Sequence, residues 1–357
     1  MNRRTFLQTA GALAVAGPGL ALGATPQWKA MARHLPRWRG FNLTEKCVKY
    51  RETNPPYSEE DFKLIQEWGF NFARLPLSYL LWADPKDWLK IHNDDELKDV
   101  DDAVEMGRKY GIHINLNLHR APGYCVNPPK EPLVLWWDEK AQDACAFHWG
   151  WLARRYKDVP SERLSFDLLN EPANVSEDAY VKVVRRLTKA IRDVDPDRLI
   201  IADGLQWGRD PVFGLAKLDI AQSTRGYDPM QLTHYKANWV KSEDWPEPTW
   251  PLQTKDKGLI DKEALRRDKI TPWRKLDLTG VGVHVGEWGV YNYTPHKVAL
   301  AWMRDCLDLW KEVGWGWALW NFRGAFGVMD SRRSDVQYET LGEHKLDREM
   351  LNLLQAY

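Results

Sequence analysis

The chain has 357 residues, 28% of them charged, and its 50 basic residues balance its 50 acidic residues. This length suits one large domain or two ordinary ones, each with a full core. The balanced charge argues against nucleic acid or an anionic membrane as the main partner. The 4 cysteines are widely spaced and form no Cys-x-x-Cys pair, so neither a metal site nor redox chemistry is indicated. The 20 tryptophans are more than core packing usually takes, and we expect some of them to line a surface.

The N-terminus has the features of a twin-arginine export signal. Arg3 and Arg4 precede an apolar stretch over residues 10–22, which is too short for a membrane span. We therefore predict a cleaved signal over residues 1–25. The mature chain, residues 26–357, is then expected in the periplasm or outside the cell, without a membrane span.

Eight short apolar runs, each closed by a polar residue, alternate with helical patterns along the mature chain. The runs cover residues 38–43, 70–76, 112–118, 164–169, 198–204, 230–235, 281–288 and 315–321. No domain break or low-complexity tract interrupts the alternation. It predicts an α/β fold, a single-domain (β/α)8 TIM barrel with long βα loops. A doubly wound open sheet is the alternative, but it would show a Gly-rich phosphate turn after its first strand, and none is present.

Two glutamates end the fourth and seventh predicted strands. Because all strand C-termini of such a barrel face one mouth, Glu171 and Glu287 are predicted to lie on opposing sides of one pocket. Hydrolysis of a glycosidic bond needs an acid that protonates the leaving oxygen and a carboxylate that meets the oxocarbenium-like carbon. A separation of about 5 Å gives retention of configuration, and about 6.5–9.5 Å gives inversion. The sequence leaves that distance open.

Neighbouring polar residues separate the roles of the two glutamates. Arg74 and Tyr235 are expected to donate hydrogen bonds to Glu287 and to keep it ionised. Glu171 lies beside the neutral Asn170 and close to a like charge. We therefore expect Glu171 to hold its proton more tightly, as an acid must.

Two histidines, an asparagine and several tryptophans also follow strand ends. His119 and His234 are expected to donate to a sugar hydroxyl or to tune Glu171, and Asn42 to bind distal hydroxyls, with structural roles as the alternative. Flat indole rings suit the C–H faces of sugars. We expect about half of these rings to touch ligand and the others to pack in the core or in loops. The candidate tryptophans are Trp82, Trp136, Trp137, Trp207, Trp239 and Trp288.

Taken in chain order, the strand-end residues resemble glycoside hydrolase family 5, the cellulase-type retaining glycosidases. The residues that carry the resemblance are Arg74, His119, Asn170-Glu171-Pro172, His234, Tyr235, Glu287 and Trp320. The resemblance implies that Glu171 is the acid/base and that Glu287 is the nucleophile, held by the arginine and the tyrosine. It implies that Asn170 contacts the sugar's 2-hydroxyl and that Trp320 stacks under the ring at the cleaved subsite. The histidines would bind substrate or support the acid/base.

These features predict a monomeric retaining glycosidase that acts on an oligo- or polysaccharide without a cofactor or metal, and we expect a β-1,4-glucan endoglucanase. A β-mannanase or β-mannosidase, or an exo-acting β-glucosidase, is the alternative, because specificity lies in the loops. A non-catalytic carbohydrate-binding barrel would be expected to lose one carboxylate, and both are present. A metal-dependent hydrolase would need His-x-His on the first strand, which residues 37–43 lack. A Schiff-base lyase would need a lysine at an inner strand end, and we find none.

Overall fold

A closed barrel of eight parallel strands forms the centre of the protein, which confirms the predicted (β/α)8 fold. The computed structural model describes residues 27–49, 54–84, 86–92 and 95–357. The predicted export signal, residues 1–25, lies outside the described residues. The strands are β1 (Arg39–Asn42), β2 (Phe72–Ser78), β3 (His113–Ala121), β4 (Leu164–Asp167), β5 (Leu199–Asp203), β6 (Ala221–Gly226), β7 (Val283–Trp288) and β8 (Gly316–Leu319).

Each barrel strand pairs in parallel with the next one along the chain, and β8 closes the ring on β1, with Leu319 opposite Phe41. The α-helical segments in the described part of the chain surround this ring. They are α1 (Gln27–Arg33), α2 (Glu59–Glu67), α3 (Asp95–Tyr110), α4 (Glu139–Tyr156), α5 (Glu177–Arg192), α6 (Leu205–Gly208), α7 (Met230–Thr233), α8 (Lys262–Leu265), α9 (Thr271–Asp277), α10 (His296–Val313) and α11 (Arg348–Gln355).

Short additional elements extend the loops. Tyr124–Cys125 pairs antiparallel with the end of β3. The two-stranded ribbons join Ala83–Asp84 to Asp87–Ile91, Leu252–Thr254 to Gly258–Ile260, and Glu339–Leu341 to His344–Leu346. Short 3-10 helices lie at Tyr79–Leu81 and Phe213–Leu218, and a π-helical turn lies at Arg266–Ile270.

The sixth strand is where the sequence prediction was wrong. Residues 230–235 were expected to form it, but Met230–Thr233 is the short helix α7, and the strand is β6. The residues of β6 are mainly polar yet buried, so no apolar run marks them in the sequence. Their polar groups are satisfied locally: Gln222 exchanges two hydrogen bonds with the backbone of Val212, and the Thr224 hydroxyl donates to the Gly208 carbonyl.

The barrel interior changes character from bottom to top. At the N-terminal ends of the strands, Trp38 stacks on His113 with ring centroids 3.8 Å apart. Ala32 in α1 and Leu35 just after it pack in the same apolar cluster as Trp38. Burial lowers the pKa of His113 to about 3, so this ring is neutral and serves as core. The charged interior residues lie instead at the C-terminal ends of the strands. The apolar lower half thus supports a polar upper half.

All four cysteines are free thiols, and only Cys125 is not fully buried. The fold therefore rests on its core rather than on disulfides. Within the described ranges, no helix combines the length and apolar character needed to cross a membrane.

Candidate active site

A cavity of about 880 Å³ opens at the C-terminal ends of the barrel strands. Some of the predicted site residues line this cavity, and others lie behind its wall and hold the lining residues in place. The predicted residues that line the cavity are His119, Asn170, Glu171, Trp207, His234, Trp239, Glu287 and Trp320.

Glu287 lies near the end of β7, where the register with both neighbouring strands shifts. Such an irregularity re-aims a side chain. Arg74 donates to its Oε1 atom at 2.5 Å, and the Tyr227 hydroxyl donates to its Oε2 atom at 3.2 Å. Burial favours the neutral acid, but the positive charges of Arg225 and Arg74 outweigh burial and hold the pKa of Glu287 below its ordinary value. This carboxyl group is therefore ionised at neutral pH.

Glu171 follows β4 and has the opposite electrostatic character. Its backbone adopts a left-handed φ of 51°, its N–H donates to Asp203 at 2.8 Å, and its carbonyl accepts from the Tyr124 hydroxyl at 2.6 Å. These two bonds hold a conformation that is unfavourable for a residue with a side chain. Burial, and then the negative charge of Glu287, raise the pKa of Glu171 to about 8. Glu171 therefore carries a proton at neutral pH.

Arg74 on β2 connects the two glutamate-bearing strands from below. Its guanidinium donates to Asp167 at 2.8 Å and to Asn170 Oδ1 at 2.9 Å, in addition to Glu287. It also donates to Asn42 Oδ1 at 3.0 Å, while the Asn42 amide donates to the Gly286 carbonyl at 3.0 Å. Asn42 is fully buried. The expectation that it binds distal hydroxyls was wrong, because its side chain holds Arg74 in place.

Arg225, at the end of β6, is a site residue that the sequence reasoning missed. It forms a bidentate ion pair with Asp203 and donates to Asn170 Oδ1 at 3.0 Å. Its guanidinium also lies 3.4 Å from Glu171 and 3.3 Å from Glu287. The available signal was the Asp228-Pro229 turn, since such a dipeptide commonly follows a strand end.

The tyrosine predicted to hold Glu287 was also misplaced, because the sixth strand had been assigned to residues 230–235. Tyr235 is buried beneath Lys236, whose ammonium lies 5.1 Å from its ring centre. Tyr227, two residues beyond Arg225, makes the contact with Glu287 instead. An error in the sixth strand thus moved the donor by eight positions.

The two histidines are neutral at pH 7, because burial lowers the pKa of each to about 4. His119 stacks on Trp320 with ring centroids 5.6 Å apart, and its Nδ1 atom has no hydrogen-bond partner among the described residues. His234 contacts the Thr233 hydroxyl through Nδ1 at 2.9 Å and packs edge-on against Tyr227. His119 is thus a neutral ring with one buried nitrogen that no described residue satisfies.

The predicted tryptophan platforms divide into three groups. Trp207 and Trp239 line the cavity with 37% and 56% of their surface exposed. Trp137 is 66% exposed but lies outside the cavity lining. The expectation was wrong for the tryptophans whose rings are buried in aromatic packing or in the core. These are Trp82, beside His148, Trp136, between Tyr124 and Tyr180, and Trp288, among Trp302, Trp310 and Trp317.

Comparison with known proteins agrees with this geometry. Residues 28–325 match the family model "Cellulase (glycosyl hydrolase family 5)". The chain is 27% identical to Endoglucanase C of Acetivibrio thermocellus over 307 residues, 79% of this chain and 89% of the relative. A solved structure described as a glycoside hydrolase is 40% identical, with a TM-score of 0.85, and the match covers 90% of this chain and 99% of that one. Cel5A of Thermotoga maritima shares the fold at 23% identity, with a TM-score of 0.72 over 92% of this chain and 100% of that one.

The barrel and its acidic cavity define a glycoside hydrolase. The chain belongs to the cellulase family, glycoside hydrolase family 5.

Because Tyr227 rather than Tyr235 contacts Glu287, the Tyr→Phe variants at these two positions are expected to differ in activity. Tyr227→Phe removes the hydroxyl that donates to Glu287 and is expected to lower kcat/KM on a soluble β-glucan by about 10–100-fold, the value of a hydrogen bond to a charged group. Tyr235→Phe is the matched control and is expected to retain wild-type kinetics. Equal activity of the two variants would contradict the assignment of Tyr227.

The pKa values predict that the two glutamates affect stability with opposite sign. Because the pKa of Glu171 is raised to about 8, its ionisation costs stability progressively as the pH rises from about 4.3 through that value. Glu171→Gln is expected to raise the free energy of unfolding at pH 9 by roughly 1 kcal/mol or more. It is expected to leave that free energy nearly unchanged at about pH 3, where Glu171 is protonated in both states.

Urea unfolding at the two pH values measures this difference. Glu287→Gln is the counterpart: its carboxyl has a lowered pKa, so its stabilisation is present above the unfolded pKa and is lost in acid. This variant is expected to be less stable than wild type at pH 7. A Glu171→Gln protein no more stable than wild type at pH 9 would show that Glu171 is not held neutral.

Proposed function

We propose that this protein is a retaining endo-β-1,4-glucanase in which Glu171 is the acid/base and Glu287 is the nucleophile. The observation that supports this division is the opposite displacement of the two pKa values in one cavity, raised to about 8 for Glu171 and lowered for Glu287. A general acid must carry a proton at working pH, and a nucleophile must be ionised. Both carboxylates contact the guanidinium of Arg225, which favours the short separation of retaining enzymes.

In the first step of this proposal, Glu287 attacks the anomeric carbon while Glu171 gives its proton to the departing glycosidic oxygen. The products are a sugar ester of Glu287 and a free sugar hydroxyl. In the second step, ionised Glu171 takes a proton from water as the water oxygen attacks the same carbon and releases Glu287. Two inversions at one carbon retain its configuration.

Three side chains in the cavity support recognition of the sugar at the cleaved bond. The Asn170 Nδ2 atom is buried and has no hydrogen-bond partner among the described residues, while its Oδ1 atom is fixed by Arg74 and Arg225. The amide is thus an unsatisfied donor at the cavity wall, and we assign it to a sugar hydroxyl. Trp320 stacks on His119 and lines the cavity beside it. Aromatic faces suit the apolar faces of sugar rings.

The preference for β-1,4-glucan rests on the family and on curated relatives named endoglucanase. Half-exposed Trp207 and Trp239 in the cavity wall support binding of more than one sugar unit. We also propose twin-arginine export, on the basis of the paired Arg3 and Arg4. The monomeric state is a further proposal. The export signal and the cleavage near residue 25 remain predictions.

The two proposed roles predict distinct kinetic defects. Glu171→Gln and Glu287→Gln are each expected to lower kcat on cellotetraose by at least about 100-fold, the usual contribution of such groups. On 2,4-dinitrophenyl β-cellobioside, whose leaving group needs no proton, Glu171→Gln is expected to give a burst of phenolate followed by slow turnover. Glu287→Gln is expected to give no burst.

Glu131→Gln provides the matched control, because Glu131 is a buried, arginine-paired glutamate outside the cavity lining. It is expected to retain kcat on both substrates. Cellotetraose hydrolysis at the wild-type rate by the Glu287→Gln protein would contradict the proposed nucleophile.

Product analysis tests the mechanism and the substrate together. With cellopentaose, NMR is expected to detect the β-anomer first, as retention requires, and early chromatograms of digested β-1,4-glucan are expected to show several oligosaccharide lengths. Initial release of the α-anomer would exclude the retaining mechanism. Faster cleavage of β-1,4-mannan than of β-1,4-glucan would contradict the proposed substrate. Release of a single short product would contradict the endo mode of action.

A further inference from the structure

Arg225 is buried at the centre of the site, between the two glutamates. Its side chain is 1% exposed. Two of its nitrogens bind Asp203, and the same group donates to the Ser223 hydroxyl at 2.9 Å. Gly286 makes room for it, since a Cβ there would lie 2.8 Å from Arg225 Nη1. The guanidinium is therefore fixed, and a larger residue at position 286 would displace it.

The remaining nitrogen of this group is not satisfied. Arg225 Nε is buried without a hydrogen-bond partner among the described residues, although Glu171 Oε1 lies 3.4 Å away. A buried donor left unpaired costs free energy. A protonated, neutral Glu171 is a weak acceptor, whereas its carboxylate is a strong one. The pair is thus arranged to form a charge-assisted hydrogen bond when Glu171 loses its proton.

We propose that Arg225 is a positioning residue that receives the negative charge on Glu171 after the acid step. The inference rests on the proposed two-step function. In the first step the Glu171 proton moves to the leaving oxygen, the glycosidic bond breaks and the Glu287 ester forms. One negative charge has then moved from Glu287 to Glu171. Because Arg225 contacts both carboxyls, it faces one of these anions before and after the step, and the buried cluster keeps its net charge.

Other ionisable groups also face these two carboxyls and contribute to the pKa values that a pH profile reports. Arg225 lowers the pKa of Glu171 more than Asp203 raises it, so removing the Arg225–Asp203 pair leaves Glu171 with a higher pKa. The titratable and charged groups that face the two glutamates from the packed elements are Cys47, Arg74, His119, Tyr124, Asp167, Asp203, Arg209, Arg225 and Tyr227.

The experiment compares the double variant Arg225→Met/Asp203→Asn, which leaves no unpaired buried charge, with wild type. Cellotetraose requires protonation of its leaving group, and 2,4-dinitrophenyl β-cellobioside does not. We expect kcat/KM on cellotetraose to fall about tenfold more than on the aryl substrate, part of what an intact general acid supplies. The alkaline limb of the cellotetraose pH profile is expected to move up by about one pH unit, the effect of a charge at this distance.

Arg225→Lys keeps the positive charge and is expected to restore the wild-type alkaline limb while recovering only part of the cellotetraose rate. Arg198→Lys is the matched control, since Arg198 is a buried arginine paired with Asp195 at the opposite end of β5. It is expected to lower the Tm without changing the ratio of the two substrates. Equal losses on both substrates with an unmoved alkaline limb would reduce Arg225 to a structural role. Wild-type protein inactive on both substrates would instead overturn the proposed function.

Discussion

The buried charge cluster at the top of the barrel governs the rest of the site. Two arginines, Arg74 and Arg225, face four carboxyl groups there: Asp167, Glu171, Asp203 and Glu287. Full ionisation of all four acids would leave an excess of negative charge in a region of low polarity, which is costly. The cluster therefore retains protons. Glu171 holds one because it makes no close hydrogen bond to either arginine, while Arg74 and Tyr227 bind Glu287 directly. The unequal pKa values follow from this unequal sharing of donors.

A closed barrel is what brings these groups together. The six members of the cluster come from five strands and the segment after β4 and are spread over more than half the chain. All of them except Arg74, the third residue of β2, lie near the C-terminal end of a parallel strand. The same geometry explains why the core has two halves. Apolar burial around Trp38 and Phe72 at the lower end supplies stability, and the upper end can then hold charged groups that contribute to chemistry at some cost in stability.

Much of the site could be predicted from the sequence because its residues follow recognisable apolar strands. Glu171, Glu287, Arg74 and His119 were placed correctly at the cavity or beside it for that reason. Arg225 and Tyr227 were missed because β6 is built from buried polar residues, so no apolar run marks the strand that carries them. Asn42 and Trp288 show a different limit. A residue next to a strand end can face the cavity or the core, and the sequence alone does not determine which direction its side chain takes.

The position of Arg225 gives a physical reason for a polar sixth strand. An apolar β6 would be easier to bury and easier to recognise, but it could not place a cation between Glu171 and Glu287, the two carboxyls that exchange one negative charge in the proposed mechanism. Gln222, Ser223 and Thr224 accompany Arg225 with side chains whose hydrogen bonds close locally on the backbone or on Arg225 itself. Of these, Ser223 contacts the guanidinium itself, whereas the side chains of Gln222 and Thr224 lie on the other face of the strand. The fixed Ser223 and Asp203 partners of Arg225 would limit reorganisation during the charge transfer that we propose. The feature that concealed this strand in the sequence is thus the one that suits it to the site.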